Sequence, residues 1–246
     1  MKKCATCWIA RWSAAAANNF GGAMEQVEQV RIPVGAFTLD GDLMVPPNAR
    51  GIVLFAHGSG SSRYSPRNRF VAEVLQQAGL GTLLMDLLTP PEEAVDAFTA
   101  ELRFNIPLLA QRLGVATEWL HQREDMLGFD LGYFGASTGA AAALIAAGDL
   151  PDLIRAVVSR GGRPDLAGDA LSRVRAPALL IVGGNDGEVI RMNRDAFEQL
   201  GAEKKLEIIP GATHLFEEPG ALEEVAKLAR AWFARYLGAR RDTRVA

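Results

Sequence analysis

One Gly-x-Ser-x-Gly occurs in the sequence, Gly135-Ala136-Ser137-Thr138-Gly139, between a strand-like run ending in Tyr133-Phe134 and an alanine-rich helical run, residues 140–147. A serine at such a strand-to-helix corner sits on a sharp, strained turn with its hydroxyl exposed. A hydroxyl attacks a carbonyl only when a base takes its proton, so the three histidines come next. His214 lies in the turn-rich Pro210-Gly211-Ala212-Thr213-His214, where a loop lets an imidazole reach outward, and it is the candidate base. His57 directly follows an apolar run and reads as a buried imidazole bracing its loop. His121, among Gln122, Arg123 and Glu124, reads as a solvated helix residue. For the acid, Asp186 in Gly183-Gly184-Asn185-Asp186-Gly187 follows Ile181-Val182, where a carboxylate could orient the imidazole and stabilise its charged form. Asn-Asp-Gly is also turn chemistry in its own right. Glu188 and Asp165 are the alternative acids. The order Ser137, Asp186, His214 is the nucleophile–acid–base order that accompanies a corner of this kind.

These groups need a scaffold that delivers them to one edge. Residues 34–39 and 43–45 flank Asp40-Gly41, which predicts a hairpin turning there. Residues 51–56 form a continuous apolar run ending at His57. A helix is expected over 68–78, a strand over 81–85, and a long helix over 106–120 with an Asn105 cap and Pro107 in its first turn. Strands at 153–158, 178–182 and 206–209 alternate with helices at 189–200 and 221–237. That alternation predicts an α/β fold: a doubly wound, mostly parallel sheet with an antiparallel N-terminal hairpin at one edge. Ligands of such sheets bind beyond the carboxyl ends of the strands, which is where His57, Ser137, Asp186 and His214 fall.

Composition narrows the classes. The chain has 246 residues, 26 Lys+Arg against 29 Asp+Glu, and a formal net charge of −3, so it offers no whole-chain basic field for nucleic acid. No apolar stretch approaches the ~20 residues that span a bilayer. Residues 1–23 read as a disordered extension before a single domain over 24–246. The apolar stretch after Met1-Lys2-Lys3 is interrupted by Thr6, Arg11 and Ser13, and Met24 would serve equally well as a start. Cys4 and Cys7 are the only cysteines and have no second ligand pair, so neither a disulfide framework nor a metal site is expected. A cytoplasmic protein is the expectation, with secretion as the alternative.

From about residue 34 to 237 the chain resembles the α/β-hydrolases and, within them, the dienelactone hydrolase branch. The matching segments are His57-Gly58-Ser59-Gly60, Gly135-Ala136-Ser137-Thr138-Gly139, Val182-Gly183-Gly184-Asn185-Asp186 and Ala212-Thr213-His214. Dienelactone hydrolases proper carry cysteine where this chain has Ser137, which points to a general serine esterase. The resemblance implies an oxyanion hole from two backbone N–H groups, those of Thr138 and Ser59, and no cofactor. The expected reaction is hydrolysis of a small or moderately sized ester (or a lactone) through an acyl-enzyme. The other readings are thioesterase or acyl-transfer chemistry on the same triad, or a non-catalytic ligand-binding scaffold. Residues 159–177 are too few for a large lid. Arg63, Arg67, Arg160 and Arg163 fall near the predicted mouth, as a subsite for a substrate carboxylate or phosphate, or as loop residues paired with Asp165 and Glu92. Oligomeric state is not legible.

Overall fold

The computed structural model describes residues 27–238. The expected 1–23 extension, with Cys4 and Cys7, lies outside the described residues. One sheet of eight strands dominates: β1 (Glu28–Val34), β2 (Phe37–Met44), β3 (Ile52–Ala56), β4 (Gly81–Met85), β5 (Leu131–Ala136), β6 (Ile154–Arg160), β7 (Ala178–Gly183) and β8 (Lys204–Ile209). Their spatial order is β1-β2-β4-β3-β5-β6-β7-β8. β1 pairs with β2, and β2 with β4, antiparallel; all the pairings from β4 through to β8 are parallel. β3, β4, β5 and β7 are buried at every position, because helices cover both faces of a parallel sheet.

The helices are α1 (Pro66–Gln77), α2 (Pro90–Thr99), α3 (Ile106–Gln122), α4 (Thr138–Asp149), α5 (Gly187–Gln199) and α6 (Ala221–Tyr236). One core joins α3 and α4 to the sheet through Leu109, Leu113, Ala141, Leu144 and Ala147. The opposite core joins α1 and α6 through Val71, Leu75, Val225, Ala229 and Phe233. α3 starts where its sequence says it should, with the Asn105 side chain accepting the Leu108 N–H at 3.2 Å. Among the described residues no helix is long and apolar enough to cross a membrane.

The N-terminal hairpin exists, but its turn is not at Asp40-Gly41. The chain reverses at Gly35-Ala36, with Gly35 at φ +61°, and Asp40 and Gly41 lie inside β2. A methyl group at Gly41 would stand 3.0 Å from both Leu83 Cδ1 and Val30 Cγ2, so glycine there serves close packing and not a turn. α2 has no counterpart in the sequence reading. Thr89 and Glu92 close a capping box around its first turn, and Pro90 starts it. Residues 159–177 hold a short 3-10 segment, Pro164–Arg173, and no lid domain.

Candidate active site

The corner after β5 is built by close approach. Ser137 adopts φ 50°, ψ −122°, a region that costs a non-glycine residue about 1–3 kcal/mol. A methyl at Gly135 would stand 2.8 Å from the Ala140 nitrogen, and one at Gly139 would overlap the carbonyl oxygens of Ala56 and His57. Small residues on both sides therefore let α4 start directly over β3 and β5. The bend is fastened by Ser137 N–H donating to the Arg160 carbonyl at 3.2 Å and by Arg163 N–H donating to the Ser137 carbonyl at 3.1 Å.

The acid and base loops are pressed together backbone to backbone. A methyl at Gly183 would stand 2.5 Å from the carbonyl oxygens of both Ala212 and Thr213. Gly184 N–H donates to Ile209 O at 2.8 Å, Asn185 N–H to Ala212 O at 2.9 Å, and the Asn185 side-chain amide to Gly211 O at 2.8 Å. Asp186 occupies the N-cap position of α5, yet its carboxylate does not cap the helix. It bonds His214 instead, Oδ2 to Nδ1 at 2.7 Å. Glu188 points away, 73% exposed and 3.9 Å from Arg191, while Asp165 is held by Arg163.

The His214 loop packs against Gly161, the residue that follows the end of β6. A methyl on Gly161 would stand 3.1 Å from the His214 carbonyl oxygen and 3.5 Å from its Nδ1, and Gly161 directly follows the residue that receives the Ser137 N–H. Among the described residues no hydrogen bond joins the Ser137 hydroxyl to the imidazole; His214 is engaged through Nδ1 with Asp186. Such contacts commonly tighten only when substrate is bound.

The loop after β3 lies against the serine, Gly58 being so placed that a methyl there would touch Ser137 Cβ at 3.1 Å. His57 has the bracing geometry expected of it. Its Nδ1–H donates to Gly58 O at 2.9 Å, and Nε2 accepts Leu87 N–H at 3.0 Å. That pair of partners requires the neutral ring, and burial accordingly lowers its pKa below 6.5. His121 ends α3, partly exposed, as expected. Of the two anticipated oxyanion donors, Ser59 N–H is engaged: it donates to Thr138 Oγ1 at 2.9 Å. The Thr138 hydroxyl, one residue past the serine, sits close enough to satisfy that loop amide.

A cleft of about 300 Å³ opens beside this loop, lined by Ser59, Ser61, Ser62, Leu88, Glu93 and Asp96 among others. Its far wall is α2 with the short 3-10 turn Leu102–Phe104. Burial would raise Asp96, but the Arg103 guanidinium and the N–H groups of Arg103 and Leu102 outweigh it and hold the carboxyl below its ordinary range. Glu93 goes the other way, raised by burial and by the nearby carboxylates of Asp86 and Asp96. None of these wall residues was singled out from sequence. The only local signal was Thr89-Pro90-Pro91-Glu92, which marks a helix start and not a site.

The arginines divide. Arg63 turns to the carboxylates at the sheet edge: its backbone N–H and its guanidinium both bond Asp86, and Asp42 lies 3.6 Å away. Arg163 forms a fork with Asp165 at 2.8–3.2 Å. Both are thus removed from the expected anion subsite, since a guanidinium already matched to a carboxylate has little to offer a second one. Glu92, weighed as a loop partner, takes Arg112 instead. Arg67 and Arg160 keep free capacity.

An eight-stranded sheet of this order, with a serine on a strained corner after β5 and a carboxylate–imidazole pair beyond β7 and β8, is the α/β-hydrolase fold. The profile of the dienelactone hydrolase family matches residues 41–237, and the chain belongs to that family. It is 63% identical to a dienelactone hydrolase from Anabaena variabilis, whose crystal structure aligns with a TM-score of 0.85 over 86% of this chain and 98% of that one. Est1E from Butyrivibrio proteoclasticus shares the fold at 16% identity, with a TM-score of 0.70 over 84% of this chain and 98% of the other. Two Mycobacterium tuberculosis proteins, provisionally named phosphoribosyl transferases, are 57% identical over 210 residues. That stretch is 85% of this chain and 46% of theirs, so the chain spans about half the length of these relatives. Family and fold support hydrolase chemistry.

Proposed function

We propose that the protein is a serine hydrolase that cleaves a small or moderately sized carboxylic ester through an acyl-enzyme. The observation that carries this reading is Asp186, which forgoes capping α5 to bond the His214 imidazole beside a serine held at φ 50°. Ser137 attacks the acyl carbonyl while His214 Nε2 takes its proton and Asp186 stabilises the imidazolium that forms. The negative charge that develops on the carbonyl oxygen is met by the N–H groups of Thr138 and Ser59, the latter released when substrate displaces the Thr138 hydroxyl. Such a donor contributes roughly 3–4 kcal/mol in comparable sites. His214 then protonates the leaving alcohol, and water deacylates Ser137 by the same route.

The transferase name of the mycobacterial relatives belongs to proteins of which this chain covers less than half, and nothing in the site favours it. A fluorophosphonate probe tests the proposal. It should label the parent protein and not Ser137→Ala, and a panel of esters, lactones and thioesters should rank esters first. An unlabelled parent would leave a non-catalytic binding scaffold; thioesters ranking first would keep the triad and change the substrate.

A further inference from the structure

α5 carries an amide where its pattern calls for an apolar side chain. Val189, Asn193 and Ala196 form its buried face at helical spacing, and Asn193 is wholly enclosed. Burying an amide costs free energy unless its polar atoms are met, and a leucine of similar size carries no such cost. The two N–H groups of Nδ2 are met: they donate to Val189 O at 2.8 Å, within the helix, and to Gly162 O at 3.0 Å, 31 positions away in sequence. Oδ1 is buried and has no partner among the described residues, so stability alone does not account for this side chain.

The bond to Gly162 reaches the stretch that joins the parts of the candidate site. Arg160 O accepts the Ser137 N–H at 3.2 Å and Arg163 N–H donates to Ser137 O at 3.1 Å, so this stretch grips the serine from both sides. Between those two residues, Gly161 holds φ +51° and lies so near His214 that a methyl there would stand 3.5 Å from Nδ1. A methyl on Gly162 would overlap Ser159 Oγ and stand 2.6 Å from Ala140 Cβ, in the first turn of α4. Paired glycines permit this turn but bring no side chain of their own to hold it. Among the described residues, the Asn193 amide is the side chain that bonds the backbone of 160–163. α5 itself starts at Asp186, whose carboxylate bonds His214. One amide thus ties the helix of the acid to the stretch that grips the serine and packs against the base.

We propose that Asn193 is a positioning residue for the Ser137–His214 reaction. By holding Gly162 it fixes residues 160–163, and with them the placement of the serine against the acid–base pair. The inference rests on the serine-hydrolase reading for its kinetics; the hold on residues 160–163 does not depend on that reading.

Three full-chain variants test it, each assayed where it is fully folded. Asn193→Leu removes both bonds. Asn193→Thr can keep the bond to Val189 O through its hydroxyl but is too short to reach Gly162 O. Ala196→Gly loosens the same face of α5 and leaves both bonds in place. With an activated p-nitrophenyl ester, Asn193→Leu and Asn193→Thr should each lose about ten- to a hundredfold in kcat, with KM within about threefold of the parent, as displaced reacting groups require. The rate of fluorophosphonate labelling should fall with kcat. Ala196→Gly should lower the melting temperature and keep kcat within about twofold of the parent. Hydrogen exchange followed by NMR supplies a readout that needs no turnover. The Ser137 and Arg163 amides should exchange about tenfold faster or more in both Asn193 variants, relative to the Val157 amide inside β6.

A kcat loss no larger than that of Ala196→Gly, or one seen in Asn193→Leu and absent from Asn193→Thr, overturns the role of the Gly162 bond. So does a rise in KM at constant kcat, which would make the defect one of binding and not of alignment. An unchanged exchange ratio overturns the hold itself. If Asn193→Leu does not fold, Asn193→Thr decides the same points. If the parent takes no label and cleaves no ester, the hydrolase reading fails, and the exchange ratio alone decides whether Asn193 holds the serine corner.

Discussion

Two helices border the candidate site and are built on opposite principles. α4, which carries the corner serine at its start, is buried at every position except Ile145 and Asp149, and its alanines seat it against β3 and β5. α2, across the cleft, buries only Asp96 and leaves Phe98 93% exposed, with Val95 and Phe104 also open to solvent. α4 is held by packing so close that a methyl at Gly139 would meet the backbone of Ala56 and His57. α2 is held by polar fasteners at its ends, the Thr89–Glu92 box with Arg112 at one end and Asp96 with Arg103 at the other. In the proposed hydrolase, the serine that would attack stands on the rigid element, and the wall of the adjoining cleft stands on the looser one. Precision and adaptability are thus separated in space.

The largest test of this contrast is chemical. Asp186→Asn keeps the shape beside α4 but removes the charge that orients His214, and kcat should fall about 10³- to 10⁴-fold. Glu188→Gln, two residues on and solvent-facing, should leave kcat within a factor of two or so of the parent. Steady-state kinetics on one activated ester is sufficient, and the reverse ranking would move the acid to Glu188.

A smaller effect should appear in stability. Gly139→Ala forces a methyl into the carbonyls of Ala56 and His57, and backbone must shift, at about 1–3 kcal/mol or more by urea unfolding. Phe98→Ser on α2 should stay within about 0.5 kcal/mol, since that side chain has almost nothing to lose. Equal losses would mean that α2 is as firmly packed as α4.

The smallest effect is a pH slope at the loop between the two helices. His57 is buried and neutral, its pKa lowered from 6.5 by loss of solvent. The unfolded chain takes up a proton near 6.5 that the folded protein refuses. Its contribution to stability is therefore complete above pH 6.5 and is lost as pH falls from there towards the lowered folded value. The limit is about 1.4 kcal/mol per pH unit for one such group. Urea midpoints between pH 7.5 and 5.5 should fall more steeply for the parent than for His57→Gln. Parallel slopes would mean that the ring takes up its proton as readily in the folded protein as in the unfolded chain.

Much of the frame was legible because it depends on near neighbours in sequence. β4 runs over the residues its apolar run marks, α3 begins at its asparagine cap, and the four strand ends that carry His57, Ser137, Asp186 and His214 come to one rim of the sheet. Where a local signal misled, a distant partner outweighed it: Asp40-Gly41 has turn chemistry, but the side chains of Val30 and Leu83 need the space its missing Cβ leaves. α2 breaks the rule that apolar positions mark the buried face: Val95 and Phe98 are exposed, and its single buried residue is a carboxylate.

The sequence by itself determined the winding of the sheet and the corner at Ser137, since strand alternation, alanine runs and small flanking residues act over a few positions and tolerate few alternatives. It could not determine which arginines were free. Long cations choose among partners that folding brings from far away, Asp86 for Arg63 across 23 positions and Glu217 for Arg67 across 150. Nor could it show that Ser59 N–H is already held by Thr138, 79 positions on. Those pairings are weak individually and depend on distance and burial, and only the assembled tertiary structure supplies both.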